Sequence, residues 1–204
     1  MYTLPKPLLV REELLQRKLR IFTPLEFGRV FHTSSYTTKY FLEQQVHEGL
    51  LTRLKRGVYA LKTDLPSEEE IANKLYMPSY ISFEYALAYY NLIPEMPYTI
   101  TSATTKPTRL FTLQEKAFSY RSIKEEAYTG YSLQKVGERQ FLIAEPEKAL
   151  VDYLYFMVLG KVGRNDRLIV STLKKERILF YASLYNREKL IQEVERMYAH
   201  TGTN

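Results

Sequence analysis

Thr23-Pro24-Leu25-Glu26 is the most constraining run in this 204-residue chain. Thr at an N-cap, Pro at the first helical position and Glu three residues after the cap make a capping box, which satisfies amides that a helix start leaves open. A helix is therefore expected from Pro24, with Leu25, Phe27, Val30 and Phe31 as its apolar face. His32-Thr33 breaks that pattern. Ser34 or Ser35 then caps a further helix to Glu48, and Gly49 ends it. Upstream, Pro5 and Pro7 precede a helical pattern over Leu8–Leu19, followed by β-prone Ile21 and Phe22. Downstream, Leu50–Leu54 and Val58–Leu61 flank Lys55-Arg56-Gly57, which reads as a β-hairpin.

Three helices and a hairpin within 61 residues is the order of a winged helix-turn-helix. In that arrangement the third helix is free to enter the major groove of DNA and the hairpin becomes a wing. Phe41, Leu42 and Val46 are the core positions expected on the third helix, leaving Ser35, Tyr36, Lys39, Tyr40 and Glu43 on the opposite face. Ser34, Thr37 and Thr38 add hydroxyls near the helix start, where backbone amides favour phosphate. The expected DNA-contacting residues are Ser34, Ser35, Tyr36, Thr38, Lys39 and Tyr40 on the helix, with Lys55 and Arg56 at the wing tip.

Charge placement agrees with that expectation. The net charge is +6, and residues 1–65 hold 11 Lys/Arg against 6 Asp/Glu, a net of +5. Residues 66–163 hold 10 against 12, and residues 164–204 hold 8 against 5. A basic end domain suits a polyanion, because cations gain by displacing phosphate counterions.

The rest of the chain reads as mixed. Thr63–Ser67 (TDLPS) looks like a linker. Helices are expected at Glu68–Tyr76, Ser82–Asn91 and Glu145–Leu159, at Asp166–Leu173, and from a cap at Asn186 to Ala199. Strands are expected at Tyr98–Ser102, Arg109–Leu113, Ala117–Ile123, Tyr131–Val136 and Gln140–Ile143, the last two joined at Gly137-Glu138. The expected fold class is α+β: a winged helix-turn-helix over 1–62, then a larger mixed α/β domain over 66–204 with a mainly antiparallel sheet.

Signals for catalysis are weak. The chain has no cysteine, so disulfides and thiolate metal sites are excluded. His32, His47 and His200 lack any ligand spacing, and no phosphate loop or nucleophile elbow appears. Glu145, Glu147, Lys148 and Asp152 on one helix resemble a nuclease-like set, but helix-surface charges explain them more simply. The hydroxyls of Thr101–Thr105 with Lys106 and Arg109 suggest a phosphate contact, although a polar loop between strands is the simpler reading. No cofactor or metal is expected, and no apolar run approaches the ~20 residues needed to cross a bilayer, so a cytoplasmic location is expected.

Several segments resemble the AbiEi-type antitoxins of abortive-infection (type IV) toxin–antitoxin systems and their relatives among transcriptional regulators. They are EGLLTRLKRGVYAL at Glu48–Leu61, PSYISFEYALAYYNLIPEMPYTITSATTKPTR at Pro78–Arg109, FSYRSI at Phe118–Ile123 and IAEPEKALVDYLY at Ile143–Tyr155. The resemblance spans Phe22 to Phe156. It implies a winged-helix domain followed by a larger α/β domain, and repression of the protein's own operon through promoter repeats. It also implies a nucleotidyltransferase-like toxin as partner, neutralised without a stable complex, and it carries no catalytic residue. The third helix departs from it by beginning HTSSYTTKY at His32–Tyr40, aromatic-rich and weakly basic.

The expectation is thus a non-enzymatic, DNA-binding regulator whose residues 66–204 support a homodimer, sense a signal or oppose a toxin. Two alternatives stand beside it. One is an enzyme acting on nucleic acid or a nucleotide, delivered by the winged helix. The other is a winged-helix module that binds protein.

Overall fold

The computed structural model describes residues 4–113 and 115–201, and for His200 and Thr201 the backbone alone. The chain divides into two compact units between Leu75 and Tyr76. Both helices and sheets are present, as an α+β chain requires.

The first unit runs α1 (Pro7–Gln16), β1 (Ile21–Phe22), α2 (Pro24–Phe31), α3 (Ser35–His47), β2 (Leu51–Lys55), β3 (Val58–Leu61) and α4 (Glu68–Leu75). Its sheet is antiparallel, in the order β1-β3-β2. The Thr23 capping box forms: the Thr23 amide donates to Glu26 at 2.7 Å, and the Glu26 amide donates to the Thr23 hydroxyl at 3.3 Å. Ser34 caps α3 by accepting from the Thr37 amide. His32 is left-handed at φ 52, which turns the chain sharply between α2 and α3.

Phe27 organises the core of this unit. Its ring lies 5.7 Å from Phe22, 4.4 Å from Phe31 and 5.4 Å from Phe41. Val10, Leu14, Leu42, Leu51 and Leu61 close around that cluster. Gly28 lets α2 approach α3: a Cβ there would meet the Thr33 carbonyl at 3.2 Å and the Thr38 hydroxyl at 3.3 Å.

The unit extends past the expected boundary at residue 62. Thr63–Ser67 is no free linker, because Asp64 pairs with Arg20 at 2.9 Å. α4 is then held by Lys74 on Glu26 at 2.6 Å, and by a hydrogen bond from Lys55 to the Leu75 carbonyl. Ser67 starts α4 with a second reciprocal cap on Glu70.

The second unit holds β4 (Ser79–Ile81), α5 (Phe83–Tyr89), β5 (Ile100–Thr104), β6 (Arg109–Leu113), β7 (Lys116–Ser122), β8 (Tyr131–Val136), β9 (Arg139–Ala144), α6 (Pro146–Val158), α7 (Lys175–Ser183) and α8 (Glu188–Thr201). One six-stranded sheet runs β6-β7-β5-β4-β9-β8. The pairs β4/β5, β6/β7 and β8/β9 are antiparallel, whereas β5/β7 and β4/β9 are parallel. The sheet is therefore mixed, with parallel pairing on both sides of the central β4/β5 pair.

Several expected elements shift. β5 begins at Ile100, and Tyr98 lies outside it. Asp166–Leu173 contains turns and irregular chain in place of a helix. α8 begins at Glu188, and Asn186 sits at φ 45 ahead of it. β4 and α7 are additional.

Candidate nucleic-acid interface and polar sites

Two capped ends and the Phe27 cluster fix which face of α3 points outward. Phe41, Leu42, Thr37, Thr38 and Gln45 are buried, and Val46 packs against the core. Ser34, Ser35, Tyr36, Lys39, Tyr40, Glu43, Gln44 and His47 are exposed. Tyr36 is 83% and Tyr40 53% exposed, which is high for large aromatic side chains. The stripe holds one Lys and one Glu beside His47, so its character is aromatic and hydroxylic more than basic.

Thr38 and Lys55 are placed otherwise than expected. Thr38 is 1% exposed, and its hydroxyl shares a 2.7 Å hydrogen bond with that of Thr33 under Gly28. It positions α3 and has no outward surface. Lys55 ends β2, and its ammonium donates to the Leu75 carbonyl. The hairpin loop is Arg56-Gly57 alone, since Lys55 pairs with Val58, and Gly57 takes φ 78. Arg56 is exposed at the tip, and Arg53 is exposed on the same hairpin. Arg53 is not evident from sequence, because alternation along so short a strand does not say which face is buried. A bulge between Arg53 and Lys55 disturbs that alternation further.

Electrostatics within this unit favour a stitched scaffold. Burial acts to raise Glu26, but the Lys74 hydrogen bond and the Thr23 capping bonds outweigh it and hold the carboxyl below its ordinary value. Arg20, Lys55 and Lys74 are engaged inside the unit, so Lys39, Arg53 and Arg56 carry the outward charge on α3 and the hairpin.

The acid/Lys set on α6 needs correction. Lys148 and Asp152 are fully buried, and Glu147 nearly so, so they are not helix-surface charges. Asp152 accepts from Tyr80 at 3.1 Å, Ser82 at 2.7 Å and Tyr185 at 2.5 Å, and from Lys148. Lys148 also lies 5.0 Å from the centre of the Tyr185 ring. Burial drives the Lys148 ammonium down from its ordinary value, against the pull of Asp152. Burial, followed by the Asp152 charge, drives Tyr80 and Tyr185 well up. All three hydroxyls in this cage donate to Asp152 and none reaches solvent, so the arrangement locks β4, α6 and the segment after α7 together. Glu145 lies outside the cage, accepting from Tyr181 at 2.5 Å and pairing with Arg177.

The expected hydroxyl loop is mostly strand. Thr101, Ser102 and Thr104 are buried in β5. Thr101 donates to the Ser82 carbonyl and Thr104 to the Pro78 carbonyl, both at 2.7 Å. Lys106 and Arg109 remain exposed and lie 5.6 and 5.9 Å from the Tyr76 ring centre.

Among the described residues, no group of three or more His, Asp or Glu is placed to hold a metal ion. His32 and His47 are not buried, and the His200 side chain lies outside the described residues. No helix among the described residues is long and apolar enough to cross a membrane. No protein-family model matches the chain, and no curated protein matches it.

Proposed function

We propose that the first unit binds duplex DNA as a winged helix-turn-helix, and that the protein is a transcriptional regulator of the AbiEi antitoxin type. The observation that carries this reading is the outward stripe of α3 in the same unit as a hairpin tipped by Arg56. Helix α3 would enter the major groove, with Ser35, Tyr36, Lys39 and Tyr40 meeting base edges and phosphates. Arg53 and Arg56 would hold the flanking backbone. The element order α1-β1-α2-α3-β2-β3, the sheet order β1-β3-β2 and the net charge of +5 over residues 1–65 support the same reading.

On this account the protein represses its own operon from the cytoplasm. The second unit, with its mixed sheet, serves dimerisation or opposes a nucleotidyltransferase-like toxin. A gel shift against the upstream region of its own gene tests the DNA-binding part. Co-expression with the product of the adjacent gene tests the antitoxin part.

A specific observation favours protein binding as a second reading. Tyr36 and Tyr40 share a surface hollow of about 240 Å³ with Leu4 and Thr37. Leu8 and Leu9 of α1 are more than half exposed. Aromatic side chains with apolar neighbours are common anchors of protein interfaces. Loss of protein pull-down and not of DNA binding in Tyr36→Ala would favour this reading.

A further inference from the structure

The outward face of α3 carries a narrower chemistry than its sequence suggests. Ser34 is committed to the helix start: it accepts from the Thr37 amide at 3.1 Å, and its hydroxyl lies 2.9 Å from that of Thr37. Thr37 and Thr38 are buried. Gln44 and Gln45 carry the amides that would pair with adenine, yet both donate to Glu48, at 2.7 and 2.6 Å, and Gln45 is buried besides. The helix holds no arginine, the side chain whose fork grips guanine most firmly.

Ser35, Tyr36, Lys39, Tyr40 and Glu43 remain exposed toward the N-terminal end, the part of a recognition helix that meets base edges. Lys39 is a single flexible point charge. Glu43, when ionised, only accepts, so the paired O6 and N7 acceptors of guanine repel it. The dominant surface is the two phenol rings, 83% and 53% exposed. Tyr36 and Tyr40 are four residues apart and therefore neighbours on one face of the helix. Together with Thr37 and Leu4 they line the hollow of about 240 Å³.

One group in the major groove suits an aromatic rim of this kind. Thymine alone among the four bases presents a methyl there, at C5. A ring laid against that methyl removes apolar surface from water on both sides. Cytosine offers no such group at the same place, and an amino donor beside it. The spacing fits as well. Tyr36 and Tyr40 stand ~6 Å apart along the helix axis, and base pairs follow one another at ~3.4 Å, so the rings are about two base steps from each other.

We propose that α3 reads thymine: the C5-methyl groups of two thymines, about two base steps apart, settle against the rings of Tyr36 and Tyr40. Lys39, between the two tyrosines, donates to an acceptor on the intervening base pair. The proposal rests on DNA binding by the first unit and names the group on the duplex that is recognised.

The test begins with selection of duplexes from a random-sequence pool by the full chain. Enriched duplexes should share A·T pairs at two positions about two steps apart. The affinity for one such duplex is then measured by fluorescence anisotropy, with thymine and with uracil in place of every thymine. That exchange removes the methyls and keeps the base pairing. Uracil should weaken binding by roughly tenfold or more, about fourfold for each methyl. The salt slope should stay unchanged, because no phosphate contact is lost. Tyr36→Ala with Tyr40→Ala should bind the two duplexes within about twofold of each other, as expected when protein and DNA changes remove the same contact. Tyr36→Ala alone should leave a penalty of about fourfold, which keeps the test open if the double variant unfolds. Lys39→Ala should keep the full penalty. No enrichment of any duplex overturns DNA binding by the first unit, and the thymine assignment with it. Enriched duplexes without the two A·T positions, equal binding of thymine and uracil duplexes, or an undiminished penalty in the tyrosine variants overturns the thymine assignment alone and leaves DNA binding standing.

Discussion

The Lys55 ammonium donates to the main-chain carbonyl of Leu75, the last residue of α4. One cation of the Lys-Arg-Gly hairpin is therefore committed to closing the C-terminal end of a helix, where a positive charge is favoured. Arg56 then carries the charge of the tip. The two neighbours should separate in experiment. Lys55→Ala should lower stability by about 0.5–1.5 kcal/mol in urea titration, as expected for loss of one hydrogen bond, with little effect on affinity for DNA. Arg56→Ala should leave the unfolding midpoint in place and weaken DNA binding. Equal effects of both on DNA would show that Lys55 leaves α4 when bound.

Gly28 should tolerate no larger residue without cost. A Cβ there meets the Thr33 carbonyl and the Thr38 hydroxyl, and the carbonyl belongs to a turn that is already sharply bent. Gly28→Ala would gain helix propensity of about 1 kcal/mol. Overpacking costs about 1–3 kcal/mol and should outweigh that gain. A lower urea midpoint is expected, and an unchanged or higher one would mean that α3 can slide away from α2 freely.

The buried cage predicts an asymmetric response to mutation. Lys148→Met leaves Asp152 without its cation in a fully buried place, which should cost roughly 3–5 kcal/mol. Adding Asp152→Leu should recover part of that loss. Full recovery is not expected, because the Tyr80, Ser82 and Tyr185 hydroxyls are then deprived of their shared acceptor. A double variant as stable as the parent would show that those hydroxyls find other partners.

Alkaline pH should unfold the protein through its tyrosines. Burial pushes Tyr90 up to about 12, and Tyr120 and Tyr128 higher. Tyr80 and Tyr185 rise well above the ordinary value through burial and the Asp152 charge. A tyrosine in the unfolded chain ionises near pH ~10. Above that pH the native state binds more protons than the unfolded one, so stability is intact below about pH 10 and falls as pH climbs toward the native values. Lys148 works in the opposite sense. Its native value is lowered, so stability gains as pH rises from that value to ~10.4, where the unfolded lysine has also lost its proton. One lysine against several tyrosines leaves a net loss. Urea midpoints should fall above about pH 10, each buried tyrosine adding up to ~1.4 kcal/mol per pH unit. A midpoint constant to about pH 11 would contradict the assignment.

Local signals were legible where one residue type had one task. The Thr23-Glu26 box, the Ser34 cap, the Gly49 stop and the Gly57 turn each stand where the sequence puts them. The outward stripe of α3 was readable because Phe41 and Leu42 fix the helix phase. Thr38 was not: its burial depends on the small size of Gly28 on another helix. β4 escaped because three residues, all buried, show no alternation, although this strand sits between β5 and β9 in the sheet. α6 hid its chemistry for a related reason. Lys148 and Asp152 at a spacing of four look like a surface pair, and what buries them is Tyr80 and Tyr185, far away in sequence.

The most direct test of DNA binding by the first unit is a fluorescence-anisotropy titration of the full chain against duplex DNA from its own upstream region, over a series of salt concentrations. Saturable binding is expected, tighter than to scrambled duplex and weakening with salt. Arg56→Ala should lessen the slope of log affinity against log salt by about one for each phosphate that its guanidinium neutralises. Tyr36→Ala should reduce the preference for the cognate sequence with little change in slope. Binding no tighter than to scrambled duplex, or a slope unmoved by Arg56→Ala together with Arg53→Ala, would contradict the assignment of α3 and the hairpin to DNA.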